Sequence, residues 1–251
     1  MTRRLAILAF LLSLCATAHG GGGMMLLPLM DAPTGEEWYS PIIAIPGCAG
    51  FWESTKAENR VMNGTTVTNW LDVSGNGLHA TNVGSGVIVS PAALNGKDGI
   101  SFTNAYFKFR EKASITAMTV VLLFDRRKSA NTIGVCNSGS DVAFPWFYTD
   151  NKIYIQISGG YGATEAITNE GPTYIFCTFE TNYLSSKVVR GTVTQAMRYT
   201  SAPFTNVVNA IGRVGGYYTA GNQYVVGLWL RALTPAENDA IRTAIYTEFG
   251  L

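Results

Sequence analysis

Carboxylate pairs are the first groups in this sequence whose type and spacing raise the question of catalysis. Hydrolysis of a glycosidic bond needs two carboxyl groups on opposite sides of the scissile bond. Glutamates come close together in the sequence at three places: Glu36 with Glu37, Glu53 with Glu58, and Glu165 with Glu170. The first two are adjacent in a predicted linker, the next two lie in a predicted irregular region, and the last two flank a predicted loop. We therefore expect solvated loop carboxylates and no catalytic residue.

The two histidines offer little support for nucleophilic catalysis. His19 lies near a predicted cleavage site, and His79 would need unspecified serine and aspartate partners, because no G-x-S-x-G elbow occurs. Gly75, Gly77 and Ala80 have the spacing of a dinucleotide-binding fingerprint, but no strand-to-helix context surrounds them. The sequence therefore predicts that the protein is not an enzyme, with His79 as a half-buried strand residue.

Aromatic side chains beside predicted loops are better candidates for ligand binding. Sugar rings expose C–H faces that stack on aromatic rings, while their hydroxyl groups need polar partners. The candidate ligand-binding residues share a position in or beside a predicted loop: Trp146, Tyr148, Tyr161, Tyr217 and Tyr218. The alternative is that every second residue of 144–148 belongs to the core.

Strands and turns must position these side chains. Apolar segments separated by Gly, Asn and Asp predict about a dozen strands. Residues 51–62 are predicted to hold a helical turn or loop, and residues 100–109 an alternating strand. Near the C-terminus, Thr234, Pro235 and Glu237 predict an N-cap, a first helical position and a capping box. The predicted fold is an all-β sandwich with one short amphipathic C-terminal helix.

The polar turn within residues 70–80 is the most distinctive local feature. Gly75 and Gly77 can adopt positive φ angles without steric conflict. Asp72, Ser74 and Asn76 can bond to their own backbone. The sequence therefore predicts a tight, self-bonded loop between two strands.

The composition suits one β domain and excludes partners attracted by charge. The chain has 251 residues, of which 47% are hydrophobic and 14% charged, and its formal net charge is +1. Because a nearly neutral chain is not drawn to polyanions, we expect no nucleic acid partner. The sequence shows no internal repeat and no change of composition after residue 41, which predicts one domain over residues 41–251.

The N-terminus has the pattern of a targeting segment. Arg3 and Arg4 precede an apolar run and then small residues, as in a secretory signal. Residues 1–19 are predicted to be such a segment, either cleaved or retained as an anchor, and a retained segment would be the one contact with a membrane. Residues 20–40 are predicted to be a glycine-rich joint and linker. Cleavage predicts a secreted or surface-displayed protein.

The cysteines show no metal-ligand spacing. They are Cys15, Cys48, Cys136 and Cys177, with no C-x-x-C pair and few histidines nearby. Cys136 and Cys177 can form a disulfide in an oxidising compartment, or they are small buried apolar residues. The sequence leaves both alternatives open.

Three segments resemble the laminin-G-like, concanavalin-A-like lectin-glucanase domains of bacteria and phages. Residues 70–80, WLDVSGNGLHA, are similar to the W-x-D-x-S-G-N-G-x-x-A signature of that family. Residues 95–102 are similar to its next segment, an N-G-K turn leading into a strand. Residues 221–237 resemble its last strand and the R-A-L-T-x-x-E helix start, and Phe249-Gly250 fits its end.

This resemblance implies a two-sheet antiparallel jelly roll that binds carbohydrate or other surface ligands. Some members sit on phage fibres, and some relatives are glycosidases that carry an E-x-D-x-x-E pattern, which does not occur here. Related domains often hold one calcium ion, and Asp72 and Asn76 offer hard oxygens for it, although the turn needs the same side chains. Asp141 and Asp150 are alternatives of no greater merit. No other cofactor is expected.

The first functional hypothesis is a non-catalytic module that recognises a glycan or another surface ligand, secreted or displayed on a cell or phage surface. The second is a structural virion or assembly protein, a fibre or decoration subunit that keeps residues 1–30 as an anchor. Low charge with a high apolar content favours a homo-oligomer or a larger particle. A glycoside hydrolase is the third hypothesis.

Overall fold

The computed structural model describes residues 37–126, 130–138, 142–150, 152–157, 160–163, 171–180, 187–190, 193–196 and 206–251. Residues Glu37–Leu251 group into one unit. Some predictions concern residues outside the described ranges: those for segments 1–19 and 20–36, and for Cys15, Asp141, Glu165 and Glu170.

Strands make up most of the described chain. The helices are α1 (Ser40–Ile43) and α2 (Pro235–Phe249), and a 3-10 turn covers Ala57–Asn59. The strands are β1 (Cys48–Glu53), β2 (Arg60–Asn63), β3 (Thr66–Trp70), β4 (Ala80–Val83), β5 (Val87–Leu94), β6 (Lys97–Phe102), β7 (Tyr106–Ile115), β8 (Ala117–Arg126), β9 (Thr132–Asn137), β10 (Val142–Phe147), β11 (Ile153–Ile157), β12 (Gly160–Ala163), β13 (Gly171–Glu180), β14 (Lys187–Arg190), β15 (Val193–Ala196), β16 (Asn206–Ile211), β17 (Arg213–Val214), β18 (Tyr217–Tyr218) and β19 (Gly221–Trp229).

Two antiparallel layers form a sandwich. Layer A has the order β15-β14-β13-β8-β19, and β19 also pairs with β1 and β6. Layer B has the order β4-β7-β16-β9-β10-β11-β12. Strands β3 and β5 join the layers into one curled sheet, because β5 pairs with β6 while β3 pairs with β4 and β5. The predicted fold class, an all-β sandwich with a short C-terminal helix, is confirmed.

Alternation along the strands divides the apolar side chains among three cores. The inner core between the layers contains Val120 and Leu122 of β8. A second core on the outer face of layer A contains Val121 and Leu123 of the same strand, together with apolar residues of α2. Burial on both faces explains why β8 is a continuous apolar run. A third core covers the outer face of layer B and contains Trp146.

The helix α2 begins and ends as its sequence predicts. The Thr234 hydroxyl accepts a hydrogen bond from the Glu237 backbone N–H, and the Glu237 carboxylate accepts one from the Thr234 backbone N–H. Gly250 ends the helix with a φ of 65°. These local contacts fix the helix ends, and its buried face packs on layer A.

Glu237 makes the helix cap sensitive to acid. Its carboxylate accepts two hydrogen bonds from the Arg231 guanidinium, of 2.5 and 3.0 Å, and together with the Thr234 backbone they lower the pKa of Glu237 to about 2. Because this pKa lies below its ordinary value, the contact stabilises the fold above about pH 4.5 and is lost as the pH falls towards 2.

Glu237→Gln is therefore expected to lower the Tm by about 2–4 °C at neutral pH, the effect of losing roughly 1 kcal/mol of capping energy. The difference from the unmodified protein should shrink as the pH falls from 4.5 towards 2, measured by thermal unfolding across that range. Glu58→Gln, at an exposed position, is the control. A difference that stays constant with pH would contradict the prediction.

Two segments differ from their predicted structure. Residues 51–62 were expected to form a helical turn or loop, but Phe51–Glu53 belong to β1, which pairs with β19 across the chain, and only Ala57–Asn59 is helical. Residues 100–109 were expected to form one strand, but they split into β6 and β7. The break falls at Asn104, which has a φ of 49°. Both errors arise from contacts or backbone angles that local alternation does not reveal.

The described cysteines are free thiols. Cys136 lies in the third core and donates a hydrogen bond to the Ala210 carbonyl, whereas Cys177 lies in the inner core. Burial raises the pKa of the Cys48 and Cys136 thiols to about 12. Of the two alternatives for Cys136 and Cys177, the structure shows small buried apolar residues. Within the described ranges, no helix has the length and apolar character to cross a membrane.

Candidate functional site

Four aromatic side chains meet on the outer face of layer B, and we call them the aromatic cluster: Trp146, Tyr148, Tyr154 and Tyr217. Trp146 and Tyr148 lie at the end of β10, and Tyr154 lies on the neighbouring strand β11. Tyr217 comes from the separate hairpin formed by β17 and β18. The cluster therefore combines two regions about 70 residues apart in the sequence.

The rings are in direct contact. The Trp146 ring centroid lies 4.9 Å from that of Tyr148, 5.1 Å from that of Tyr217 and 6.0 Å from that of Tyr154. Tyr148 and Tyr217 meet edge to face at 5.8 Å. Such contacts stabilise aromatic pairs beyond simple burial and hold each ring in one orientation.

An irregularity in the strands aims Trp146 outwards. Phe144 and Phe147 of β10 pack in the inner core, and Trp146 between them packs in the third core. The pairing of β10 with β11 shifts register between Ala143 and Trp146, as in a β-bulge. On the neighbouring strand β9, Gly134 lies very close to β10. A Cβ atom added to Gly134 would lie 2.6 Å from the Phe144 carbonyl oxygen. The suggestion that every second residue of 144–148 belongs to the core therefore holds for Phe144 and Trp146, which lie in different cores, whereas Tyr148 is only half-buried.

Polar contacts hold Trp146 and Tyr154, and Tyr217 is the most exposed ring of the four. The Trp146 indole N–H donates to the Asn131 side-chain oxygen at 3.2 Å, and the Tyr154 hydroxyl donates to Asp150 at 2.7 Å. Trp146 is only 9% exposed, whereas Tyr217 is 45% exposed. Trp146 therefore supports the cluster from within, and Tyr217, which was also predicted to bind ligand, is its exposed ring.

A second group lies beside the same hairpin, and we call it the Arg213 group: Tyr106, Arg213 and Tyr218. The Arg213 guanidinium lies over the Tyr106 ring, 4.9 Å from its centroid, and 5.3 Å from that of Tyr218. Its Nε–H donates to the Gly215 carbonyl at 3.1 Å. Arg213 pairs with Tyr218 and Val214 pairs with Tyr217, so the two groups use alternate positions of the hairpin, and both pack on the third core.

The structure brings together three of the five residues predicted to bind ligand. Trp146, Tyr148 and Tyr217 meet in the cluster, and Tyr218 belongs to the Arg213 group. Tyr161 lies in β12, where it pairs with Gln156 of β11, and its side chain is outside the described part of the structure.

Sequence reasoning missed Tyr154 and Arg213. The position of Tyr154 in the alternating pattern of a predicted strand was a usable signal, because it placed the ring on the face opposite to Ile153. The position of Arg213 before Gly215-Gly216 became meaningful only once the hairpin was known.

The Asp72 turn is held by its own side chains, as predicted. One Asp72 carboxylate oxygen accepts from the backbone N–H groups of Phe51 and Ser74, and the other accepts from that of Leu78, each at 2.9 Å. Asn76 donates its amide to the Cys48 carbonyl at 2.9 Å.

These surroundings do not fit the calcium ion considered for Asp72 and Asn76. Calcium needs six to eight oxygen ligands, whereas the buried Asp72 carboxylate faces three N–H donors. In the part of the chain that the structure describes, no three His, Cys, Asp or Glu side chains are grouped to hold a metal ion.

The described glutamates of one sequence pair, Glu53 and Glu58, have very different surroundings. Glu53 was expected to be solvated but is fully buried, and burial raises its pKa. Its carboxylate accepts hydrogen bonds from the Thr55 backbone and hydroxyl and from the Asn59 amide. Glu58 is exposed. Glu53 thus organises the loop after β1. His79 was expected to be a half-buried strand residue, but it is exposed and precedes β4. It lies in the Asp72 turn, where its Nδ1 accepts a hydrogen bond from the Asp72 backbone N–H.

Comparison with known proteins identifies the fold but no family. No protein-family model matches the sequence, and neither does any curated protein sequence. Domain 4 of an extracellular GH43 arabinanase from Geobacillus stearothermophilus, solved in complex with arabinotriose, is similar with a TM-score of 0.54 at 11% identity. The match covers 77% of this chain and 97% of that domain.

Two larger proteins contain the same fold. The binding domain of botulinum neurotoxin DC, in complex with SialylT, gives a TM-score of 0.51 at 9% identity and covers 82% of this chain and 53% of that one. Trypanosoma rangeli sialidase gives 0.50 at 12% identity, covering 80% of this chain and 33% of that one. The chain thus spans about a third of the sialidase and about half of the toxin chain. The narrower laminin-G resemblance stays a prediction.

Proposed function

We propose that this protein is a non-catalytic module that binds a glycan at the aromatic cluster. The observation that carries the proposal is the exposed Tyr217 ring, held in place by contacts with Trp146 and Tyr148. A ring fixed before binding loses little conformational entropy when a sugar stacks on it. The neighbouring Asp150 and Asn131 side chains give the rim of the cluster hydrogen-bonding character.

The shared fold supports carbohydrate as the ligand class. The arabinanase domain, nearly all of which this chain covers, was solved with arabinotriose. The proposal that binding is not followed by hydrolysis is supported by the carboxylates. Asp150, next to the cluster, uses both oxygens for the Tyr154 hydroxyl and the Lys152 backbone N–H. Secretion, surface display and assembly stay predictions.

Tyr217→Ala is expected to weaken glycan binding about 10- to 30-fold, because an exposed aromatic anchor at a binding centre contributes about 2 kcal/mol. The wild-type protein is first screened on a glycan array, and the affinities of both proteins for the best glycan are then compared by calorimetry. Incubation of the same glycan with the wild-type protein should release no reducing ends.

The matched control is Tyr246→Ala. Tyr246 lies on α2, on the far side of layer A, where its ring contacts that of Tyr174 at 5.8 Å. This variant should keep wild-type affinity. An array without any bound glycan, or equal affinity of the Tyr217 variant and the wild type, would refute the proposed site. Release of reducing ends would refute the non-catalytic role.

A further inference from the structure

The Arg213 guanidinium is held in place with its terminal nitrogens available. Tyr106 and Tyr218 support its plane, and Gly215 accepts from its Nε–H. Within the described ranges, no side chain or carbonyl accepts a hydrogen bond from its two Nη groups. A half-buried guanidinium fixed in this way is prepared for a ligand, because its ordering is complete before the ligand arrives.

The distribution of ion pairs sets the outer face of layer B apart. Ten lysine and arginine side chains are described, and five of them form ion pairs elsewhere: Lys56, Arg60, Lys97, Arg231 and Arg242. The other five have no acidic partner among the described residues: Lys108, Arg110, Lys112, Lys152 and Arg213. Of these five, Arg213 belongs to one of the two groups, and Lys108 and Lys152 flank them, as their positions in the strands show.

Lys108 and Lys152 lie close to the site. Lys108 follows Tyr106 by two positions on β7, so both side chains lie on the same face, and it pairs with Ala210 of the third core. The Lys152 backbone carbonyl accepts a hydrogen bond of 3.0 Å from the Tyr148 backbone N–H, which places Lys152 beside the aromatic cluster. Among the described residues, the nearby carboxylates are Asp150, whose oxygens are both bonded, and the exposed Glu111 on β7. The described side chains around the site therefore carry a net positive charge, although the whole sequence is nearly neutral.

We infer that the glycan is acidic, with a carboxylate or sulfate group that pairs with Arg213 while a neighbouring sugar stacks on Tyr217. This inference rests on the proposed function. A guanidinium can donate two parallel hydrogen bonds to a carboxylate or a sulfate, which neutral sugars cannot match. Because Arg213 and Tyr217 occupy different positions of the β17–β18 hairpin and belong to separate groups, we expect the ligand to span at least two sugar units.

The test compares oligosaccharides that differ only in charge. The array carries three matched pairs: sialylated and desialylated, sulfated and desulfated, and uronate and uronate methyl ester. The acidic member of a pair is expected to bind about tenfold more tightly or better, the effect of one charge-assisted bidentate contact. The three pairs also distinguish carboxylate from sulfate. Raising the salt concentration should weaken binding of the acidic member and leave the neutral one unchanged.

Arg213→Gln is expected to remove this preference, with affinity for the neutral member changed less than about threefold. Arg213→Lys keeps the charge but loses the bidentate geometry, so it should retain part of the preference. Arg242→Gln, on α2, is the control and should bind as the wild type. Thermal unfolding of each variant confirms that it is folded.

Equal binding of acidic and neutral glycans, unchanged by Arg213→Gln, would overturn this inference and leave the proposed function standing. Binding of no glycan at all would instead overturn the proposed function, and the inference with it. Loss of binding to both members of a pair in the folded Arg213→Gln variant would show that Arg213 supports the hairpin and does not recognise charge.

Discussion

Replacing Asp72 by asparagine is expected to lower the free energy of unfolding by about 2–4 kcal/mol, although the two side chains have the same shape. Three backbone N–H groups donate to the Asp72 carboxylate. An amide of the same shape offers one oxygen and turns an NH₂ group towards at least one of those donors. A buried donor is then left without an acceptor, and the charge that strengthened the other bonds is gone.

The effect extends beyond the turn because Asp72 connects it to β1. Phe51 donates its backbone N–H to Asp72 and accepts from that of Val73 at 2.9 Å. The buried Trp52 indole donates to the Leu78 carbonyl, at the other end of the turn. Loosening the turn therefore also loosens the inner core.

Urea unfolding measures the loss, with Asn76→Ala as the control in the same turn. Asn76 is exposed and bonds to Ser74 and the Cys48 carbonyl, so its loss should be below about 1 kcal/mol. Equal stability of the Asp72→Asn variant and the wild type would show that the carboxylate charge is not needed to hold the turn.

Gly86→Ala is expected to destabilise the fold by about 3 kcal/mol or more, because the added methyl group would clash with backbone atoms that can move only if the strands shift. A Cβ atom at Gly86 would lie 1.6 Å from the Thr103 carbonyl oxygen. The Thr103 backbone N–H also donates to the Gly86 carbonyl at 2.7 Å. An added methyl group would therefore push apart the two segments that this hydrogen bond joins, at the end of the β5–β6 pair.

Gly216→Ala is the matched control for this change. No atom lies within 4 Å of the position of its Cβ, so its free energy of unfolding should change by less than about 0.5 kcal/mol. Chemical unfolding of both variants tests the comparison. Similar stability of the two variants would mean that the Gly86 loop can move away from Thr103, and that the close contact is not essential.

The parts of the fold that the sequence predicts are those set by short-range contacts. The cap of α2 involves Thr234 and Glu237, three residues apart, and the Asp72 turn bonds mainly within seven residues. Strand β1 was missed because Phe51–Glu53 become a strand only by pairing with β19, far away in the sequence. A strand whose partner is distant has no local sign of its boundaries.

The candidate site shows the same limit. Residue type alone indicated Trp146, Tyr148 and Tyr217 as separate candidates. Their contact depends on how β10 and the β17–β18 hairpin come together, and the orientation of Trp146 depends on the bulge near it. Sequence reasoning can therefore propose ring stacking as the chemistry, but it cannot say which ring meets the solvent.

The position of Trp146 has a consequence for observing the site. The chain has five tryptophans; Trp52, Trp70 and Trp229 are fully buried, and Trp38 packs against Phe249 on the far side of the sandwich. Trp146 is the one tryptophan in the aromatic cluster, 5.1 Å from the exposed Tyr217 ring. A ligand that displaces water from this surface therefore changes the environment of a single indole. For a glycan bound as proposed, a change in Trp146 emission is the expected signal of occupancy, while the other four indoles lie away from the aromatic cluster.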